Sequence, residues 1–260
     1  MSSLARIFCS SIGRKFLMAL TGLVLIGFAF GHLVGNLQIF SHPDKINGYA
    51  EFLHQTGPLL WVARLGLLLC VGIHIWAATV LTLENRRARG PEEYGAGRHW
   101  IGATLSSRYI RWTGYVVLAF IVYHLAHFTL GLTDPTDFKS GYNYTMQQDY
   151  TVAGFPVIAA GAEVHNVYLM IYRGFESVPV SLFYIIAVGL LSLHLLHGAD
   201  SLFQTLGWRT QRWAAGLRRI VALLCVLYFL GNLAIPGAIV TGALSPHPAA
   251  NVHPAPTAQN

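Results

Sequence analysis

Five apolar stretches dominate this chain, at about residues 16–40, 59–83, 110–132, 178–203 and 220–241. Crossing roughly 30 Å of hydrocarbon takes about 20 mostly apolar residues in a helix. Within lipid, a helix satisfies its own backbone hydrogen bonds, which an open strand or loop cannot do. The reading is therefore all-α, an integral membrane bundle of five transmembrane helices. Composition agrees with it. Charged residues make up 11% and apolar residues 54%, whereas soluble domains carry about 25% charged residues. A cytosolic enzyme, a disordered linker and a secreted scaffold are excluded on that basis. Arg14 and Lys15 precede the first stretch as in a signal peptide, but its apolar run is too long and no A-x-A site follows, so it reads as a retained span. Cys9, Cys70 and Cys225 are far apart and form no C-x-x-C, which points to neither a disulfide framework nor a thiolate cluster.

Lysine and arginine placement sets the orientation. With the N-terminus in the cytoplasm, Arg6, Arg14, Lys15, the six arginines from Arg86 to Arg111 and the four from Arg209 to Arg219 lie inside. That is thirteen of the 17 basic residues. The acids Asp44, Glu51, Asp134, Asp137, Asp149, Glu163 and Glu176 then lie outside. An N-in, C-out topology explains the net charge of +6 without nucleic acid. Residues 1–242 read as one transmembrane domain, and the Pro/Ala-rich residues 243–260 as a disordered outer tail. The outer connection from Thr133 to Ser177 is long enough to carry structure of its own. Its apolar second half, Val164 to Phe175, is expected to lie on the outer membrane surface as a helix.

Six histidines fall inside four of the spans: His32, His74, His124, His127, His194 and His197. Ionisable groups at that depth are costly and point to function. Two facing imidazoles can hold one haem iron between helices. At about 1.5 Å per residue, His32 and His124 fall in the outer half of the membrane and His74 and His194 in the inner half. The first four helices would thus enclose two b haems, ligated by His32 with His124 and by His74 with His194. A repeat supports this choice, because Thr21-Gly22 and Thr113-Gly114 each stand ten residues before a histidine, counted from the glycine. Ala78 and Gly198, each four residues after a histidine, leave room for a flat macrocycle. His127 and His197 are off that register. They read as partners of the ligands or of the haem propionates, with a ligand swap left open.

These residues resemble a known family. His32-Leu-Val-Gly-Asn36, Gly72-Ile-His74-Ile-Trp-Ala-Ala78, Thr113-Gly114 leading to His124-Leu125, and Val180-Ser-Leu-Phe-Tyr184 leading to His194 and Leu206-Gly207-Trp208 carry the likeness. It is to the cytochrome b558 subunit, the dihaem membrane anchor, of succinate dehydrogenase/fumarate reductase, and it extends from about Phe16 to Val240. The resemblance implies a bacterial cytoplasmic membrane and a respiratory complex II. In that complex a flavoprotein subunit carries the succinate site, and an iron–sulfur subunit passes electrons to this anchor and on to a membrane quinone, menaquinone being expected. Some relatives have a glutamate before the fourth ligand, where this chain has Leu193. Others have a carboxylate near the position of Pro58, where this chain offers His54 and Gln55 for proton transfer to the quinone. Basic residues of the inner face, among them Arg14, Lys15, Arg86 and Arg111, are candidates for docking the iron–sulfur subunit.

Two alternatives stay open. The first is the dihaem cytochrome b of another quinone-linked dehydrogenase, such as a hydrogenase or formate dehydrogenase. The second is a proton-coupled transporter with histidine relays, disfavoured because no broken helix pair is visible in the sequence.

Overall fold

A computed structural model describes residues 10–89, 105–133 and 142–246. The expected disordered tail from 247 onward lies outside these residues, as do Arg6, Cys9, Arg98, Asp134 and Asp137.

Five helices are long and apolar enough to cross a membrane, at Ser11–Phe40, Pro58–Ala88, Tyr109–Thr129, Val178–Thr205 and Ala214–Val240. They match the five apolar stretches, and the first begins at Ser11 rather than near Phe16 because Arg14 and Lys15 are themselves helical. We label the helices in chain order. α1 is Ser11–Asn36 and continues as a 3-10 turn to Phe40. α2 is Pro43–Gln55, α3 Pro58–Arg89 and α4 Leu105–His124. α5 is Val167–Glu176, α6 Val178–Thr205 and α7 Ala214–Val240. α4 ends in a π turn over Leu125–Thr129, closed by Leu130 N–H donating to the Leu125 carbonyl at 2.8 Å.

The spans expose large side chains such as Leu20 and Phe28 on α1, Leu65 and Leu69 on α3 and Leu227 on α7. Continuous apolar surface of this kind is the reverse of a water-soluble exterior. Exposed Trp61, Trp112, Trp208 and Trp213 lie at or near span ends, where membrane proteins concentrate indole rings. Only 11–33% of the apolar window of each span is buried within the chain. Most of each helix surface is therefore left for lipid, a bound group or a partner.

The chain forms two compact units. The first comprises Met1–Phe30, Val62–Gly114 and Leu191–Leu227, and the second Gly31–Trp61, Tyr115–Leu190 and Tyr228–Asn260. His74, His194 and His197 belong to the first, and His32, His124 and His127 to the second.

The second unit contains a small structured cap that the all-α reading did not include. Two antiparallel pairs form it. β1 (Asn143–Thr145) pairs with β4 (Glu163–His165), placing Tyr144 opposite Val164. β2 (Tyr150–Val152) pairs with β3 (Phe155–Ile158) around Ala153-Gly154, both at positive φ as a two-residue hairpin turn requires. The register shifts between Tyr150 and Thr151, opposite Pro156, which has no N–H to donate. Tyr144, Met146, Ile158 and Val164 form the core of the cap.

α2 and α5 complete the cap. At α2, Pro43 occupies the first turn, His42 is the N-cap, and Gly57 (φ +53°) follows the Thr56 C-cap in the left-handed conformation of a helix stop. Asn47 joins the two helices. Its amide donates to Asn166 Oδ1 at 3.4 Å, and its own carbonyl oxygen accepts from Tyr168 N–H at 2.9 Å. Asp44 is buried and accepts from the Tyr144 hydroxyl at 2.8 Å and from Gln147 N–H at 2.9 Å. Its second oxygen is 2.9 Å from His42 Nδ1. Gly48 permits the close approach of β2, since a Cβ there would lie 2.5 Å from that of Tyr150. The segment expected on the membrane surface is thus helical from Val167, but its apolar face, Tyr168, Leu169, Ile171, Tyr172 and Phe175, is buried in protein.

Candidate functional site

The paired histidines come together as their depth suggests. In the first unit the ring centroids of His74 and His194 are 6.4 Å apart, with planes at 63°. In the second, those of His32 and His124 are 5.8 Å apart, with planes at 85°. Two imidazole nitrogens, each about 2 Å from one metal, put ring centroids roughly 6 Å apart once the ring radii are added. Both pairs have this spacing. Among the described residues no three of His, Cys, Asp and Glu converge as a bare metal centre would need. Haem iron, which takes its remaining ligands from the porphyrin, needs only two from protein.

The first unit holds each imidazole in the same way. Thr21 Oγ1 donates its proton to the Leu17 carbonyl at 2.7 Å and lies 3.3 Å from His74 Nδ1. The Met18 carbonyl is 3.2 Å from the same nitrogen. A carbonyl can only accept, and the threonine proton is already used, so His74 carries its hydrogen on Nδ1. That leaves the Nε2 lone pair for a metal. Thr113 repeats the arrangement, donating to the Ile110 carbonyl at 2.9 Å and accepting from His194 Nδ1 at 3.2 Å. The glycine of each Thr-Gly pair clears the ring edge. A Cβ on Gly22 would lie 3.4 Å from His74 Cε1, and one on Gly114 would lie 3.5 Å from His194 Cε1. The Thr-Gly repeat therefore grips a histidine of the neighbouring helix, not the one ten residues further along its own. The first unit builds this clip twice.

Room adjoins the pairs. A Cβ on Gly31, next to His32, or on Gly198, one turn beyond His194, would meet no atom within 4 Å. Facing imidazoles, a fixed tautomer and small neighbours suit a flat macrocycle.

The other two membrane histidines are differently placed. His127 lies on the π turn, is 6% exposed, and stacks on Phe128 at 4.0 Å. Its Nδ1 is 3.0 Å from the Tyr184 hydroxyl. Its Nε2 faces α5 so closely that a Cβ on Gly174 would lie 3.2 Å away. The wider π turn directs this ring at α5, so His127 is poorly placed to exchange roles with His124. His197 Nε2 is 3.3 Å from Ser201 Oγ on its own helix.

His54 and Gln55 end α2 and are both exposed. His54 Nδ1 donates to the Ala50 carbonyl at 2.8 Å, and Gln55 donates to Glu51 at 3.2 Å. His54 is close enough to His165 on β4 for its charge to help lower that residue's pKa, after the larger effect of burial. Of the basic docking candidates, Arg14 forms an ion pair with Glu84 between α1 and α3. Lys15, Arg86 and Arg111 are exposed.

The sequence reading left Thr21, Thr113 and Tyr184 without a role. Tyr184 belongs to the Val180-Ser-Leu-Phe-Tyr184 segment, but its approach to His124 depends on how α4 and α6 are turned toward each other, which sequence does not give. Comparison with known families, curated proteins and solved structures gives no match to this chain.

Proposed function

We propose that this chain is a dihaem cytochrome b, the membrane anchor of a succinate:quinone oxidoreductase of the bacterial cytoplasmic membrane. One observation carries the haem part of the reading. Four histidines on four spans stand in two facing pairs, at 5.8 Å and 6.4 Å between ring centroids. In one pair both Nδ1 atoms are tied to acceptors from a neighbouring helix. His74 and His194 would hold one haem, and His32 and His124 the other. The haems, when bound, carry single electrons across the anchor to a membrane quinone, menaquinone being expected. The chain's own residues orient the imidazoles, and in the His74–His194 pair they fix the tautomer.

The succinate assignment rests on the motif resemblance, which brings with it a flavoprotein subunit and an iron–sulfur subunit on the cytoplasmic side. His54 and Gln55 are the residues proposed for proton delivery to the quinone.

The test is a reduced-minus-oxidised spectrum of the membrane-extracted chain, with haem and iron counted per polypeptide and the co-purifying subunits identified. Two b haems per chain are expected, together with a flavin-bearing partner that oxidises succinate. His32→Ala or His124→Ala should remove one haem, and His74→Ala or His194→Ala the other. A chain without haem would refute the reading. Two haems with a hydrogenase or formate dehydrogenase partner would keep the cytochrome and reassign the complex.

A further inference from the structure

The two histidine pairs are supported by different chemistry. His74 and His194 contact threonine hydroxyls that have already given their protons to carbonyls. At His124 the neighbour is a phenol. The Tyr184 hydroxyl lies 3.5 Å from His124 Nδ1 and 3.0 Å from His127 Nδ1. Tyr184 is 5% exposed and makes edge contacts with Phe120, Phe128 and Phe175. These aromatic contacts fix the position of the ring and hence of the hydroxyl oxygen.

The bond directions follow from counting protons. A His124 that binds iron through Nε2 carries its hydrogen on Nδ1 and can only donate there. The Tyr184 oxygen accepts that hydrogen and passes its own proton on in a bond to His127 Nδ1. His127 therefore carries its hydrogen on Nε2, the nitrogen that faces Gly174 on α5. The His124 and Tyr184 donors each have one acceptor in the series, so the tautomer of His127 is dictated by the ligand two bonds away.

We infer that Tyr184 is the positioning residue of His124, and that His127 anchors it as the far end of a one-way hydrogen-bond relay. The inference rests on the bis-histidine reading above and deepens it, since the haem of one unit is tuned through a phenol and an imidazole and the other through threonine and backbone. An acceptor on Nδ1 makes an imidazole more electron-donating, which favours ferric iron. A phenol that donates onward is a stronger acceptor than an isolated one. The relay should thus hold down the midpoint potential of one haem alone.

The experiment is a potentiometric titration of both haems in membranes holding the full complex, with electron paramagnetic resonance of each ferric haem. The relevant haem is identified by its loss in His32→Ala. Tyr184→Phe should raise the midpoint potential of that haem and shift its resonance, leaving the other haem unchanged. His127→Leu should raise it by a smaller amount. His127→Asn, whose amide oxygen can take the tyrosine proton, should return it toward the wild-type value. Unchanged potentials in Tyr184→Phe, or a shift confined to the other haem, would overturn the relay and leave the dihaem reading intact. If Tyr184→Phe does not assemble, the Leu and Asn variants at His127 decide, and equal potentials in the two would overturn it. A wild-type chain with no haem would instead remove the reading on which the relay depends.

Discussion

The hydroxyl of Thr113 lies 3.2 Å from Nδ1 of His194, and the direction of that bond is forced because the same hydroxyl donates to the Ile110 carbonyl. The imidazole must be the donor. Valine has nearly the shape of threonine but no acceptor. On the proposed dihaem reading, Thr113→Val should therefore weaken retention of a haem at His74 and His194 by about 10–100-fold, the usual effect of removing an outer partner of a metal-binding histidine. Thr21→Val should do the same, less severely, because Met18 offers His74 a second acceptor. Haem per chain after detergent washing checks both variants, and the other haem should be retained.

Asp44 is the polar centre of the cap. It is buried, and Asp44→Ala would strand the Tyr144 hydroxyl and the Gln147 amide, both of which it now accepts from. Each buried donor left unsatisfied costs about 1–3 kcal/mol. Amide hydrogen exchange across residues 142–165 should accelerate by at least about tenfold, since about 1.4 kcal/mol corresponds to a factor of ten. The His74–His194 spacing belongs to the other unit and should be unaffected, as read by the spectrum of its haem.

His165 gives the cap a pH dependence. Burial lowers its pKa, the charge of His54 lowers it further, and a hydrogen bond to the Tyr142 carbonyl partly offsets both. A folded pKa below the ordinary value of about 6.5 means that the folded cap binds fewer protons than the unfolded one. Its contribution to stability is complete above about pH 6.5 and is lost as pH falls through the lowered folded pKa. Limited proteolysis of residues 142–177 should therefore speed up between about pH 7 and pH 5. His165→Asn should flatten that profile.

Alkali should loosen the cap through Tyr144. Burial, with the Asp44 hydrogen bond and charge behind it, raises the phenol pKa well above its usual range. The folded cap then holds a proton that the unfolded chain releases near pH 10. Stability is complete below about pH 10 and is lost as pH rises toward the raised value. Tyrosinate absorbance should show a late-titrating component, and its amplitude should fall by one phenol in Tyr144→Phe.

Quinone reduction at the outer side would couple turnover to the membrane potential. Moving two electrons outward with a potential of about 150 mV, negative inside, releases roughly 7 kcal/mol at about 2.3 kcal/mol per charge per 100 mV. If the proposed function holds, succinate-to-quinone activity of the complex in sealed vesicles should fall when an uncoupler collapses the potential. His54→Ala should slow quinone turnover while both haems remain. Activity indifferent to the uncoupler would place the working site at the inner face.

The five spans were legible in the sequence because lipid leaves an apolar run of that length a single conformation, with every backbone group bonded within the helix. The pairing of His32 with His124 and of His74 with His194 was also legible, because the helix rise turns residue number into depth. What lay beyond sequence were the contacts that need the azimuth of one helix against another. Thr21 and Thr113 read as markers on their own helices, and only the folded chain turned each toward a histidine 53 or 81 residues away. His127 sits three residues after His124, and only the π turn decided that it faces α5 and Tyr184. The cap strands are three or four residues long, too short to show a period. They exist because Asp44, Asn47 and Asn166 collect bonds across 100 residues of chain or more. Local solvation set the helices and their depth, and long-range side-chain bonding decided which group each histidine meets.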